Sequence, residues 1–111
     1  MVKWAECVYY GASIQKKKER YIQRIESGHR LSGLYVLTVS PHPDNQLEIM
    51  AAYELYQPVL KERTGAIVGV AFGYAEAMEI LYRIIDDAEL AGMRGRLKEF
   101  VCRQERKTET L

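Results

Sequence analysis

The sequence predicts an α+β fold, a two-layer sandwich whose helices pack on one face of a sheet. Three observations carry that prediction. Residues 66–72 form a short apolar run rich in β-branched side chains and bounded by Gly65 and Gly73, which suits a central strand. Directly afterwards the spacing changes: Ala77, Leu81, Ile84, Ile85, Ala88 and Ala91 recur every three or four residues, as on the buried face of a helix. Glu76, Glu79, Arg83, Asp86, Asp87 and Glu89 fall mostly on the other side, and Gly92 stands where a left-handed residue ends a helix. Upstream, two alternating runs at 2–10 and 34–40 flank a second helical pattern at 14–27.

In the first run Ala5, Cys7 and Tyr9 point one way, and Trp4, Val8 and Tyr10 the other. Both sides are substantially apolar, whereas a two-layer domain buries only one face of its sheet, so the second set asks for a cover. Gly11 and Ser13 break the strand, with Ser13 as the expected N-cap. In the helix at 14–27, Ile14, Tyr21, Ile22 and Ile25 share a face and leave Lys16, Lys17, Lys18, Arg20 and Arg24 outward. The three lysines oppose the helix dipole, which favours negative charge at that end. Gly28 closes the helix.

The second strand alternates Tyr35, Leu37 and Val39 against Val36 and Thr38. Pro41-His42-Pro43-Asp44-Asn45 is a strong turn signal, because two prolines block both a helix and a central strand. Residues 46–50 are read as a hairpin strand followed by a helical turn from Ala52; a helix over 45–56 capped by Asp44 is the alternative. After the long helix, Gly92 and Gly95 punctuate a turn, and 97–103 is read as a last strand with Phe100 and Cys102 on one side and Val101 on the other. Residues 1–103 thus make one domain, and 104–111, nearly without apolar side chains, a flexible tail. The order β-α-β-β-(short α)-β-α-β suggests a ferredoxin-like arrangement with an extra strand; a three-layer, doubly wound α/β sheet is the alternative.

One resemblance accompanies this pattern. Val68-Gly69-Val70-Ala71-Phe72-Gly73-Tyr74 followed by Glu76-Ala77, with Asp44-Asn45-Gln46-Leu47-Glu48-Ile49 upstream, resembles short uncharacterised bacterial proteins over roughly residues 30–90. No activity is attached to that group, so the resemblance implies no substrate and no site residues.

Composition narrows the function classes. With 48% apolar residues, 28% charged residues and a net charge of +1, an ordered domain is expected, without a general affinity for polyanions or membranes. The charge is unevenly spread: residues 1–46 carry seven Lys/Arg against four Asp/Glu, residues 47–92 three against eight, and residues 93–111 six against three. The N-terminal stretch lacks the apolar core of a signal peptide, and no run reaches the ~20 apolar residues of a membrane span. Two cysteines without CxxC or histidine spacing point to reduced thiols and a cytoplasmic protein.

Several constellations bear on chemistry. Gly73, Tyr74 and Ala75 open the long helix directly after a strand, where free amides and the dipole suit a small anion or nucleotide, although GxGxxG and the P-loop Lys-Ser/Thr are absent. Gly73 and Gly69 are equally explained by a tight turn and close helix packing. His42 stands in the proline turn beside Asp44 without a second histidine or cysteine in spacing, and His29 at a helix C-terminus is explained by the dipole. Cys7 and Cys102 approach each other if the first and last strands are neighbours. Asp86, Asp87 and Glu79 diverge around the helix, so no metal site is expected, and no cofactor. Lys16, Lys17, Lys18, Arg20 and Arg24, together with Arg30 and the basic C-terminal end, are the candidates for RNA or DNA contact, with eight tyrosines to stack on bases.

The doubly apolar sheet leads elsewhere. Trp4, Val8, Tyr10 and Tyr35 are expected on a face away from the helices, as an interface that a two-fold homodimer buries; the 52–63 segment folding over that face is the competing account. The sequence therefore points to a small non-enzymatic protein acting by self-association or macromolecular binding. An RNA- or DNA-binding module is the second reading, and an anion or nucleotide binder at the Gly73 turn the third. No nucleophile–base pair is visible that assigns an enzymatic reaction.

Overall fold

Alternation along the two middle strands sends apolar side chains to both sides of the sheet, and this decides the architecture. The computed structural model describes residues 2–29, 31–57 and 65–102. In order, the elements are β1 (Trp4–Tyr10), α1 (Ala12–Gln15), α2 (Lys18–Glu26), β2 (Leu34–Val39), β3 (Leu47–Ala51), a 3₁₀ turn (Ala52–Tyr56), β4 (Ile67–Phe72), α3 (Tyr74–Leu90) and a helical segment at 97–102. The four strands form one mixed sheet in the order β1-β4-β2-β3. β4 runs parallel to β1 and antiparallel to β2, and β2 and β3 form a hairpin in which Tyr35 faces Ala51 and Val39 faces Leu47. The fold is α+β, with strand and 3₁₀ turn following the proline turn in succession.

Two cores flank the sheet. On one face Leu37, Val68 and Ala71 meet Ala77, Ile80, Ile84 and Ala88 of α3, with Met93, Phe100 and Val101 completing the cluster. A methyl group at Gly69 would lie 3.0 Å from Cγ2 of Ile80 and 3.1 Å from Cδ1 of Leu37, so α3 seats against bare backbone there. On the other face Leu34, Val36, Ile67 and Val70 are covered by Ile14, Ile25, Ala52 and Leu55. Each fully buried aliphatic side chain of this size stabilises by roughly 1.5–3 kcal/mol, which is why both faces acquire a lid.

The sheet is therefore roofed on both sides, and the two-layer expectation is corrected. α1, α2 and the 3₁₀ turn cover the face that was expected to lie bare. The ferredoxin-like arrangement with an extra strand is not reproduced either: the strand order is β1-β4-β2-β3 with β4 parallel to β1, and residues 97–102, read as the last strand, are helical. Leu97 is half-buried and Phe100 and Val101 are buried, a spacing of three and four residues that belongs to a helix rather than to an alternating strand. Cys102 consequently lies on a helix and not on a strand beside Cys7. The helix expected at 14–27 is two pieces, broken at Lys16 and Lys17, and Gly11 rather than Ser13 occupies the first N-cap position.

The edge strand β1 is irregular. Trp4 faces Ile67 and Tyr9 faces Gly69, so residues 5–8 stand opposite Val68 alone. A bulge of this kind bends an exposed edge and discourages another strand from pairing with it. Among the described residues no helix is long and apolar enough to cross a membrane. The expected tail at 104–111, together with Arg103, Arg106, Lys107 and Arg30, lies outside the described residues.

Candidate functional site

Aromatic rings gather at one end of the sheet because four elements finish or begin there. Phe72 is the last residue of β4 and pairs with Leu34 at the start of β2, while Tyr35 faces Ala51 at the end of β3. Tyr74 opens α3 two residues beyond Phe72. The Tyr35 and Tyr74 rings meet edge to face, with centroids 5.8 Å apart, and Phe72 meets Tyr21 of α2 in the same way at 6.3 Å. Beside Tyr35 a cleft of about 490 Å³ is walled by Leu31, Ser32, Gly33, Leu34, Ala51 and Tyr53. Phe72 is 42% exposed, Tyr53 49% and Tyr74 57%, so three rings present large faces to solvent.

This end is held in place by a carboxylate. Oε1 of Glu76 accepts the amide of Phe72 at 3.0 Å, and Oε2 accepts the hydroxyl of Ser13 at 2.7 Å and its amide at 3.3 Å. Glu76 is the third residue of α3 and reaches back past Gly73, as a glutamate in a capping box does. Its carboxylate passes so close to Gly11 that a β-carbon there would overlap Oε1. Burial pushes the Glu76 carboxyl upward, but the Phe72 amide and the Ser13 hydroxyl and amide stabilise its charged form and leave it below its ordinary value. The ring-bearing end of β4 and the start of α1 are thus tied to one side chain.

The expected anion site falls beside this latch. Gly73 adopts φ +86° and donates its amide to the carbonyl of Gly33 at 2.6 Å, so the chain turns there as the strand-to-helix junction requires. Tyr74 and Ala75 follow at the exposed start of α3, next to the Glu76 carboxylate. The expected nucleic-acid residues lie on α2 and just before it. Arg20 and Arg24 stand four residues apart along α2, Lys17 is its non-helical N-cap, and Lys18 lies over the ring of Tyr10 at 5.5 Å. Lys16 stands at the break between α1 and α2.

The four residues expected as an interface are not brought together. Trp4 and Tyr10 pack toward the core under α1 and α2, Val8 touches both cores, and Tyr35 packs on the opposite face. The remaining candidates are also dispersed. His42 is exposed in its turn, with Nδ1 accepting the Asp44 amide at 3.3 Å, and His29 is exposed after α2. Asp87 accepts a 2.6 Å bond from the Tyr9 hydroxyl, while Asp86 and Glu79 are exposed. Among the described residues no group of three or more His, Cys, Asp or Glu side chains could hold a metal.

The ring cluster escapes sequence reasoning because Tyr21 reads as a core residue and Phe72 as the end of a buried run. The Phe72-Gly73-Tyr74 spacing, two aromatic residues across a glycine at a strand's end, is the signal that marks it. No family model matches this chain, and no curated protein and no solved structure matches it either.

Proposed function

We propose that this protein works by binding a macromolecule rather than by catalysis, and that the ring-bearing end of the sheet is its contact surface. The observation that carries this reading is the exposure of Phe72, Tyr74 and Tyr53 on adjoining elements, where large apolar faces would otherwise be withdrawn from water. The Glu76 carboxyl is displaced downward by structural hydrogen bonds, which does not poise it for proton transfer near neutrality.

Self-association is a second reading, moved to this end. The sheet face on which a homodimer was expected to form is covered by α1, α2 and the 3₁₀ turn. The exposed rings are the apolar surface that a two-fold partner would find instead.

Both readings meet in one experiment. A photoreactive p-benzoylphenylalanine replaces Tyr74, or, as a control, Tyr82, which is 58% exposed on α3 but outside the ring cluster. Cross-linked macromolecules are expected from position 74 and not from position 82; a species of twice the chain mass marks self-association. Equal capture at both positions, or none at 74, would sink the proposal.

A further inference from the structure

We propose that the outer edge of β3 pairs with β3 of a second copy of this chain, antiparallel about a two-fold axis at Ile49, so that two sheets become one. The pairing uses backbone groups of β3 rather than the exposed rings, so it goes beyond the contact surface proposed above. Strand order puts β1 and β3 at the two edges of the sheet. β1 carries the irregular stretch that discourages pairing, whereas β3 keeps five consecutive pairs with β2, from Tyr35–Ala51 to Val39–Leu47, without a shift. Its sequence, Leu47-Glu48-Ile49-Met50-Ala51, holds neither proline nor lysine, the residues that commonly block an edge.

Two hydrogen bonds fix which backbone groups of β3 face outward. In an antiparallel ladder the amide and carbonyl of one residue point to the same side, and the side alternates along the strand. Val39 donates its amide to Ala66, next to β4, at 3.0 Å, and Ser40 donates to Gln46, next to β3, at 3.2 Å. By alternation Val36 and Thr38 bond β3. Their partners Met50 and Glu48 therefore face inward, and Leu47, Ile49 and Ala51 turn their amides and carbonyls outward. The Ala51 amide bears this out, since it reaches Oε2 of Glu54 at 2.9 Å. Among the described residues Glu54 is the one side chain bonded to this edge.

The strand is complementary to itself, which selects a second copy as the occupant. Directly opposed residues share a face of the sheet, so a two-fold axis passes through a residue of β3. At Glu48 it would set two carboxylates opposite each other, which is destabilising. At Ile49 it sets Glu48 opposite Met50 and Leu47 opposite Ala51, and all five residues pair. Ile49 then exchanges both bonds with its counterpart, and Leu47 donates to the Ala51 carbonyl of the second copy. The Leu47 carbonyl competes with Glu54 for the Ala51 amide, so Glu54 sets how tightly the edges hold.

The test is amide hydrogen exchange by NMR, with sedimentation velocity, on the intact chain over a range of concentration. The Leu47 and Ile49 amides are expected to gain protection as a dimer forms, while those of Glu48 and Met50, bonded to β2, stay protected throughout. Ala51→Pro suits the backbone there, at φ −66° and ψ 139°, and removes no bond to β2, but its ring stands in the edge. That variant should remain monomeric. Glu54→Ala frees the Ala51 amide and should tighten the dimer several-fold. Exchange at Leu47 and Ile49 that ignores concentration, or a dimer that Ala51→Pro leaves as tight as the parent's, overturns the proposal. If position 74 cross-links a second copy while those two amides stay unprotected, self-association belongs to the ring-bearing end and this inference fails. Concentration-dependent protection without capture at position 74 upholds the edge pairing and sinks the ring-end reading.

Discussion

Glu76 gathers three donors that arise from two separate parts of the chain, and Gly11 is the residue that makes room for it. The Gly11 backbone, at φ −64°, suits alanine, so the obstacle to a side chain is purely steric. Gly11→Ala is expected to cost about 1–3 kcal/mol by expelling the carboxylate. In a Glu76→Ala background the same change should cost little, because the space is then vacant. A double-mutant cycle by urea unfolding measures this coupling, and additive effects would show that the contact is not made. The titration of Glu76 has a definite sign. Its folded-state value lies below the unfolded one, so its contribution is present above the unfolded value and is lost as pH falls through the folded one. Glu76→Gln should therefore flatten the acid side of the stability–pH curve while leaving the alkaline side parallel to the parent.

Elements in this molecule are joined by polar ties as well as by apolar contact. The Tyr9 hydroxyl donates to Asp87 of α3, Arg83 of the same helix bonds the carbonyl of Tyr10 at 3.2 Å, and the Arg83 guanidinium lies 5.4 Å from the Tyr9 ring centroid. These contacts bind the edge strand to the long helix at Tyr9 and Tyr10, where its ladder with β4 resumes after the irregular stretch. Tyr9→Phe keeps the ring and removes the tie, and a loss of about 1–2 kcal/mol is expected for a half-buried bond to a carboxylate. Hydrogen exchange should show the added opening in β1 before it appears in β4; uniform acceleration across the sheet would argue against a local role. The last helical segment shows how local pattern misleads. Phe100, Val101 and Cys102 satisfy alternation over three residues, and only Leu97 taken with Phe100 and Val101 shows the helical period.

The whole molecule is one sheet with a lid on each face, and the two lids should stand or fall together. Ile80 lies under α3 and Ile25 under α2, both without solvent exposure. Either residue changed to Ala is expected to cost about 2–5 kcal/mol, with tryptophan fluorescence and far-UV circular dichroism reporting a single coincident transition in both cases. Separate transitions would mean that the faces are independently stable. Strand and helix positions were largely legible because each leaves a periodic trace: β4 between Gly65 and Gly73, α3 up to Gly92, and the β2–β3 hairpin around the proline turn all lie where their spacing puts them. The doubly apolar character of the strands was legible too, and it correctly asked for a cover.

Which elements supplied that cover was not legible. An amphipathic helix carries its apolar stripe in the sequence but not the identity of the face that receives it, because that choice depends on strand order and crossover direction. Local periodicity thus settled the kind and approximate limits of β1, β2, β4 and α3, through the geometry of 3.6-residue and two-residue repeats, but not the kind of element at 97–102 or the break at Lys16 and Lys17. Tertiary packing alone decided that α1 and α2 close one face while α3 closes the other, and that Tyr21 meets Phe72 on the first face and Tyr35 meets Tyr74 on the second. Contacts between residues distant in the chain are fixed by mutual burial, and no local pattern encodes them.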